Sequence, residues 1–451
     1  MLRSNRFIAY SLFPLLILLA GACDGTPKSL PVIELYPTWN AVGMEITYPD
    51  GWNFEKTVSF EWRLKGQDWR PGIELTVFKN ENRALASIWP LEQNTPVQTR
   101  LIVPGTRKRI MAETHTRKMV LETSGGKTLH VAPAGKKNAL GTSEDPFGSI
   151  SEATQNTEAG DRIILHEGVY HEGGLFAGLK GLPGKPLIIS AAEGEQPIVD
   201  GSVTIPRGDQ RWEDTGNGLW SISLSPDNDY AGYVAQNGLR MYWYKSLENI
   251  KRGEILLRNN NIPSKVGRGW FYDRQSGKLF IRTGNENPPR DHSYNVAVRP
   301  YGALLSGAEH LVVQGIEFRF FGESGICLDK GTQACIVRNN LVHNAQRGII
   351  FQDSLTRDKA IWHNEVYEQG LVDYTWSQIK ASEYGRQGIQ GVAGRGNSIC
   401  HNLIHGYFDG IAPAVWGNPG QLHLNRDMDI MYNRIYNIGD DAIEVEGCAQ
   451  N

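Results

Sequence analysis

A repeated pattern in the second half of the chain constrains the fold more than any other feature. Each copy has a short apolar strand, an Asn at the bend, an apolar residue two positions later and a small residue that opens the next strand. The bend residues Asn340, Asn364, Asn402 and Asn433 lie 24, 38 and 31 residues apart. A solenoid rung of roughly 20–25 residues with loops of variable length explains these intervals. The pattern predicts a solenoid with an asparagine column whose amides bond from rung to rung.

Composition narrows the function classes. The 451 residues include 46 Lys and Arg against 49 Asp and Glu, a net charge of −3. This balance argues against a nucleic-acid partner held by phosphate contacts. The 50 glycines and 12 tryptophans indicate a turn-rich, strand-rich chain with ample core. We therefore expect an all-β protein. We also expect it to be a monomer.

The first residues have the pattern of an export signal. Arg3 and Arg6 precede an apolar stretch, residues 7–20, that is shorter than the roughly 20 residues of a membrane span. Small residues then lead directly into Cys23, and the run Leu-Ala-Gly-Ala-Cys resembles the lipobox of bacterial lipoproteins. The resemblance implies removal of residues 1–22, acylation of Cys23, and a lipid anchor to a membrane at the periplasm or cell surface. An ordinary signal peptide with an incidental cysteine is the alternative.

Residues 23–122 are predicted to form a tether and a β-sandwich. Apolar and polar residues alternate over residues 58–64, 73–77 and 97–103, between Gly, Pro and Asn turns. Alternation at this spacing favours two packed sheets. The central strand with Trp62 resembles those of fibronectin type III or immunoglobulin-like modules.

The next segment resembles the N-terminal part of right-handed parallel β-helix proteins. Strand-like residues 129–135 are followed by a short amphipathic helix and by a second strand within residues 160–170. In that family the helix caps the open end of the solenoid. The resemblance implies a right-handed parallel β-helix over residues 126–451, and we expect a β-rich, aromatic insertion at about 203–297. Because the chain stops just after a strand with no cap, we also expect truncation at the C-terminus.

Acidic residues gather in the last rungs. Asp409 lies one rung before Asp440 and Asp441, and Glu444 and Glu446 alternate with apolar residues in the following strand. Rungs about 4.8 Å apart bring such carboxylates together. A cluster of this kind either binds a cation or shares protons.

Two families resemble this acidic region. The runs Phe-Asp-Gly-Ile and Gly-Asp-Asp-Ala-Ile are similar to polygalacturonase motifs that place three aspartates on adjacent rungs. That resemblance implies inverting hydrolysis in which Asp440 is the general acid while Asp409 and Asp441 position the water.

The N-terminal segment resembles instead the β-helix polysaccharide lyases. In these enzymes acidic residues commonly hold Ca²⁺, which neutralises a uronate carboxylate while a Lys or Arg removes the C5 proton. The resemblance implies Ca²⁺ as a cofactor, with four candidate ligands: Asp440, Asp441, Glu444 and Glu446. The base is one of three residues in a long loop: Lys380, Arg386 or Arg395.

Rings recur three residues after each bend asparagine, at His343, Tyr367, His405 and Tyr436. Equal spacing predicts one column, which either lines a sugar-binding groove or stabilises the turns by stacking. Trp416, in a second long loop, is the other candidate platform for a sugar ring. The predicted substrate-binding set is His343, His405, Trp416 and Tyr436.

The sequence thus predicts an exported protein that cleaves an acidic polysaccharide. Elimination by a lyase mechanism is favoured, and inverting hydrolysis is the alternative reaction. A non-catalytic glycan-binding or adhesive β-helix is the alternative of a different class.

Overall fold

The fold is described from a computed structural model of the chain. The described residues are 30–50, 58–103, 109–122, 125–225, 229–257, 261–284, 287–351, 355–380, 386–391, 394–413 and 425–445. None of the helices in these ranges is long and apolar enough to cross a membrane. The chain divides into two compact units, Met1–Lys118 and Met119–Asn451.

The first unit is a β-sandwich of two antiparallel four-stranded sheets, ordered β1-β2-β6-β5 and β4-β3-β7-β8. The strands are β1 (Val32–Pro37), β2 (Val42–Thr47), β3 (Ser59–Leu64), β4 (Arg70–Pro71), β5 (Thr76–Phe78), β6 (Arg83–Ile88), β7 (Pro96–Ile102) and β8 (Ile110–His115). Alternate residues of both sheets, such as Ile46, Phe60 and Leu101, share one core. The likeness to a fibronectin type III or immunoglobulin-like module stays a prediction.

The second unit begins with the first rungs of a solenoid. Its elements are β9 (Thr128–Lys136), α1 (Ile150–Gln155), β10 (Arg162–Leu165), β11 (Gly168–Tyr170), β12 (Leu187–Ala191) and β13 (Pro197–Asp200). Ser149 begins α1 as its N-cap, because its Oγ accepts a hydrogen bond from the Glu152 N–H at 3.1 Å. Ile150 and Ala153 lie on the inner side of α1, and their side chains are buried in the solenoid core.

An insertion separates these rungs from the rest. It comprises β14 (Ser202–Ile205), β15 (Glu213–Asp214), β16 (Leu219–Ser223), β17 (Tyr233–Gln236), β18 (Leu239–Arg240), β19 (Tyr242–Trp243), α2 (Leu247–Arg252), β20 (Glu254–Leu256), β21 (Pro263–Lys265), β22 (Gly269–Asp273), β23 (Lys278–Arg282) and β24 (Tyr294–Ala297). Its larger sheets have the orders β14-β24-β17-β18 and β15-β16-β23-β22-β19. Several of its aromatic rings are buried in a core of its own, among them Trp212, Trp270 and Tyr294.

The remaining rungs carry most of the parallel strands. They comprise β25 (Tyr301–Leu304), β26 (Leu311–Gln314), β27 (Glu317–Cys327), β28 (Ile336–Arg338), β29 (Leu341–Phe351), β30 (Ala360–Trp362), β31 (Glu365–Tyr367), α3 (Trp376–Lys380), β32 (Gln387–Gly391), β33 (Gly394–Arg395), β34 (Ser398–Cys400), β35 (Leu403–His405), β36 (Asp409–Ala412), β37 (Asn425–Arg426), β38 (Asp429–Met431) and β39 (Arg434–Tyr436).

These strands form three parallel faces. The first has the order β38-β34-β30-β28-β26-β12-β10-β9, and the second runs from β11 through β13, β27, β29, β31 and β35 to β39. The long strands β27 and β29 continue into the third face, where β29 pairs with β32 and β32 with β36. One continuous core fills the space between the faces. This arrangement confirms the predicted right-handed parallel β-helix.

The asparagine column is present as predicted. The Nδ2 of Asn340 donates to Oδ1 of Asn364 at 3.1 Å, and Asn364 donates likewise to Asn402 at 3.1 Å. Asn402 continues the column to Asn433 at 3.0 Å. Each of these four amides also donates to a strand carbonyl of the preceding rung. The column therefore fixes the register between rungs at one bend.

A second column, of glycines, lets the third face approach the second. A Cβ on Gly388 would lie 2.5 Å from Cγ2 of Ile404, and a Cβ on Gly410 would lie 2.7 Å from Cγ2 of Ile435. Both distances are shorter than real Cβ contacts, so only glycine fits. This close approach shapes the rung on which the acidic residues lie.

Candidate active site

The acidic site lies on the third face of the β-helix, at its last described rungs. Asp409 opens β36 and stands opposite Gln387 of β32. Residues 440–444 add a further rung, because the Gly410 N–H donates to the Asp441 carbonyl at 2.9 Å and Ile411 bridges Ile443 in parallel. Asp409 and Asp441 therefore occupy equivalent positions on adjacent rungs.

Three carboxylates converge here, as the sequence predicted. One oxygen from each of Asp409, Asp440 and Asp441 lies within 4.8 Å of the others. The Asp409 side chain is buried, Asp440 is partly buried and Asp441 is exposed. Carboxylate oxygens are acceptors only, so three of them in this space require cations, protons or N–H donors between them.

Asp409 is the carboxyl least able to carry its charge. Burial raises the pKa of Asp409 to about 6, although a hydrogen bond from Gln387 and the positive charge of Lys380 act in the opposite direction. The Gln387 Nε2 donates to Oδ2 of Asp409 at 3.0 Å. The neighbouring Asp440 charge adds to the rise in pKa.

Asp440 is compensated by a cation. Lys380 Nζ lies 2.7 Å from Oδ2 of Asp440, and the Trp376 indole N–H also donates to this carboxylate. Partial burial works against ionisation of Asp440, but these two donors outweigh it and hold its pKa below the usual value. The same hydrogen bond raises the pKa of Lys380.

Helix α3 supplies both of these donors. Trp376 and Lys380 are four residues apart, so they lie on one side of the helix. Lys380 Nζ is 5.9 Å from the centre of the Trp376 ring and 5.7 Å from that of Phe408, the residue before Asp409. The Trp376 side chain remains 50% exposed. A cation and an exposed aromatic ring therefore border the three carboxylates.

The predicted metal set also includes two glutamates, of which the structure describes only Glu444. Glu444 is only 4% exposed and its charge acts on Lys380. It does not belong to the group of carboxylates within 4.8 Å of one another among the described residues. Glu446 lies outside the described residues, as do Trp416 and Cys23.

The predicted ring column exists on the second face, apart from the acidic strands. Ring centres of His343 and Tyr367 are 4.7 Å apart, those of Tyr367 and His405 are 5.0 Å apart, and those of His405 and Tyr436 are 4.8 Å apart. His343 is buried, with Nε2 at 3.0 Å from Oε1 of Glu317, whereas Tyr436 is 45% exposed. Access for a sugar therefore increases along the column toward Tyr436.

Comparisons with known proteins add distant likenesses. No family model matches the chain. A Bacillus subtilis protein described as uncharacterized, YwoF, is 32% identical over 92 residues, which is 20% of this chain and 19% of that protein. The chain thus matches about a fifth of that relative's length.

Solved structures give a similar picture. A structure of XylC in complex with xylose is 18% identical, with a TM-score of 0.49 over 71% of this chain and 64% of that one. A pectate lyase is 15% identical, with a TM-score of 0.37 over 72% of this chain and 58% of that one. Such likenesses are too distant to indicate an activity.

Of the three candidate bases, Lys380 has a described side-chain contact with one of the three carboxylates, and the backbone carbonyl of Arg386 accepts a hydrogen bond from the Asp409 N–H at 3.2 Å. Lys380 lies at Asp440, whereas Arg386 Nε donates to Gln346 and Arg395 Nε pairs with Asp427. Trp376 was not predicted as a site residue. Its only sequence signal is the four-residue spacing to Lys380 in the loop that precedes β32.

Proposed function

We propose that this protein cleaves an acidic polysaccharide by β-elimination on the third face of its β-helix. The observation that carries the proposal is the Lys380 ammonium at 2.7 Å from Asp440, beside Asp409 and Asp441. A lyase needs a cationic environment for a uronate carboxylate and a proton acceptor near the sugar ring. Both requirements can be met within this one cluster.

The donor set fits a calcium ion. Ca²⁺ takes six to eight oxygen ligands at about 2.3–2.6 Å, so ligands on opposite sides of the ion are about 4.6–5.2 Å apart. The oxygens of Asp409, Asp440 and Asp441 lie within 4.8 Å of one another, and these three residues would hold the ion. When bound, Ca²⁺ neutralises the uronate carboxylate and so acidifies the C5 proton.

The chain's own residues have separate roles in this proposal. Lys380 is the basic side chain described at the carboxylates, and it accepts the C5 proton as a neutral amine, after losing to solvent the proton that its contact with Asp440 favours. Solvent then protonates the O4 leaving group as the C4–O4 bond breaks and the C4–C5 double bond forms. The half-exposed Trp376 ring stacks on a sugar and orients it, since its N–H fixes the ring edge at Asp440. Tyr436 and His405 remain proposed sugar contacts on the second face.

Inverting hydrolysis is the second candidate, and one observation favours it. Asp409 has a pKa raised to about 6, as a proton-donating carboxyl requires. The polygalacturonase resemblance assigns the acid role to Asp440 instead, whose pKa is held low by Lys380 and Trp376. If the site catalyses hydrolysis, Asp409 is therefore the general acid in place of Asp440.

The test incubates the chain with polygalacturonate, alginate and neutral xylan, with and without a calcium chelator. Reducing ends and the ultraviolet absorbance of a new C4–C5 double bond are followed together. We expect both signals to rise with an acidic polymer and both to disappear on chelation. Reducing ends without the absorbance would replace elimination by hydrolysis, and binding without either signal would replace catalysis by adhesion.

Variants separate chemistry from folding. Asp441→Asn and Lys380→Met should abolish cleavage while the thermal unfolding transition is retained. Glu309→Gln and Lys180→Met serve as matched controls, because this exposed pair, 2.5 Å apart, lies in the same β-helix and belongs to no cluster of three carboxylates among the described residues. Equal loss in both sets of variants would contradict the proposal.

We further propose that the chain is exported and anchored through a lipid on Cys23. Support comes from the apolar segment and the Leu-Ala-Gly-Ala-Cys run. A bacterial host supplied with labelled palmitate should label the wild-type chain and not Cys23→Ser. Label on both chains would refute acylation at this residue.

A further inference from the structure

Helix α3 carries the proposed base, yet it cannot be stable by itself. It contains five residues, Trp376–Lys380, whereas isolated helices shorter than roughly 12–15 residues are marginal in water. Its position at the carboxylates must therefore come from tertiary contacts. The described residues that supply these contacts belong largely to the insertion between β14 and β24.

Two hydrogen bonds join α3 directly to the insertion. The Tyr242 hydroxyl donates to the Gln378 carbonyl at 3.2 Å. The Gln378 side chain in turn donates from Nε2 to the Lys265 carbonyl at 2.8 Å. Gln378 thus contacts two separate strands of the insertion, through its backbone and through its side chain.

The turn before α3 is held in the same way. The Tyr374 hydroxyl accepts a hydrogen bond from the Tyr242 N–H at 2.9 Å, and the two rings pack edge to face at 5.3 Å. Arg268 Nη2 lies 2.9 Å from Oδ2 of Asp373. Segment 371–380 is therefore fixed to the insertion at both of its ends.

A shared apolar core completes the contact. Ile379 and Phe408 are buried in one cluster with insertion residues that include Tyr242, Tyr244 and Ile250. Phe408 directly precedes Asp409, and its ring also faces Lys380. One core therefore connects the insertion both to the helix with the base and to the rung with the acids.

We propose that the insertion is a positioning element, in which Tyr242 and Gln378 hold α3 so that Lys380 lies at the carboxylates. The proposal rests on the proposed function for its catalytic meaning. Tyr242 and Gln378 are positioning residues, because their contacts are with α3 and the insertion. A displacement of about 1 Å at a reacting group can reduce turnover up to about 100-fold.

The test uses Tyr242→Phe and Gln378→Met in the full chain, since each removes hydrogen bonds and keeps most of the side-chain volume. Tyr294→Phe is the matched control, a buried insertion tyrosine whose hydroxyl accepts a long 3.3 Å hydrogen bond from Gln236 within the insertion. Three quantities are measured: kcat and KM on polygalacturonate or alginate, Ca²⁺ affinity by calorimetry, and amide hydrogen exchange of residues 371–380.

We expect Tyr242→Phe and Gln378→Met to lower kcat about tenfold with little change in KM or Ca²⁺ affinity. Hydrogen exchange of residues 371–380 should become faster in both variants and stay unchanged in Tyr294→Phe. Unchanged exchange in this segment, or an equal effect of Tyr294→Phe, would overturn the proposal. If the wild type cleaves neither polymer, the proposed function fails, and the exchange rates alone still decide whether the insertion holds α3.

Discussion

The asparagine column and the acidic cluster are both formed by equivalent residues stacked on successive rungs. The stacked asparagines attract one another, whereas the stacked aspartates repel one another. Asn340, Asn364, Asn402 and Asn433 bond one to the next because an amide is both a donor and an acceptor. Asp409 and Asp441 are stacked on adjacent rungs in the same way, but carboxylates accept only and repel one another. Repetition of a group thus stabilises a solenoid when the group is neutral and creates a demand for cations when it is acidic.

The largest expected effect comes from removing the positive charge of Lys380 at the acidic cluster. Lys380→Met removes the proposed proton acceptor, and loss of such a group typically costs about 10²–10⁴-fold in rate. We expect kcat for an acidic polysaccharide to fall by that order, measured by ultraviolet absorbance of the product. Activity within a few-fold of wild type, or an equal loss in Lys180→Met, would show that Lys380 is not the base.

The neutral column should be most sensitive at its middle. Asn364→Ala leaves the Asn340 backbone and side-chain donors without their acceptor and removes the donor to the Val337 carbonyl. We expect the free energy of unfolding to fall by about 3 kcal/mol, because buried groups are left unsatisfied. Urea unfolding measures this value, with the less buried Asn433→Ala as the milder control. A change in Asn364→Ala below that of Asn433→Ala would contradict a cooperative column.

Calcium should convert the acidic cluster from a destabilising to a stabilising feature. At a free Ca²⁺ concentration 100-fold above Kd, binding adds about 2.7 kcal/mol to the free energy of unfolding. Thermal unfolding with calcium and with chelator should differ accordingly in the wild type. Asp441→Asn should lose most of the difference, whereas Asn433→Ala should keep it. An equal calcium response in Asp441→Asn would place the ion elsewhere.

The smallest expected effect is a pH dependence of the acidic cluster in calcium-free buffer. The pKa of Asp409 is higher in the folded chain, at about 6, than in an unfolded chain. Its stabilising contribution is therefore present in acid and is lost as the pH rises through 6. The free energy of unfolding of the wild type minus that of Asp409→Asn should therefore decrease as the pH rises through 6. A difference that is flat or increases with pH would contradict the raised pKa.

The columns could be predicted from sequence because they depend on the repeat alone. Equal spacing after each bend residue places Asn364 under Asn402 and Tyr367 under His405, whatever the intervening loop does. The convergence of Asp409 with Asp441 followed from the same repeat. Periodicity in the chain is translated directly into neighbours in space.

The helix at the site could not be predicted in this way. Trp376 and Lys380 reach the carboxylates because α3 is held by Tyr242, a residue more than 130 positions earlier in the chain. No repeat relates the insertion to that loop, so the contact depends on tertiary packing. Lys380 was accordingly one of three candidate bases, and Trp376 was not predicted as a site residue.

The constant geometry of the bend has a consequence for how such a protein can change. Rungs whose bend residues are 24, 38 and 31 positions apart all close on the same amide hydrogen bond. Loop length is thereby uncoupled from the register of the rungs, because the bend closes in the same way whatever the number of residues between two rungs. A loop that leaves this bend can therefore change in length, by evolution or by engineering, while the asparagine hydrogen bonds of the scaffold are kept.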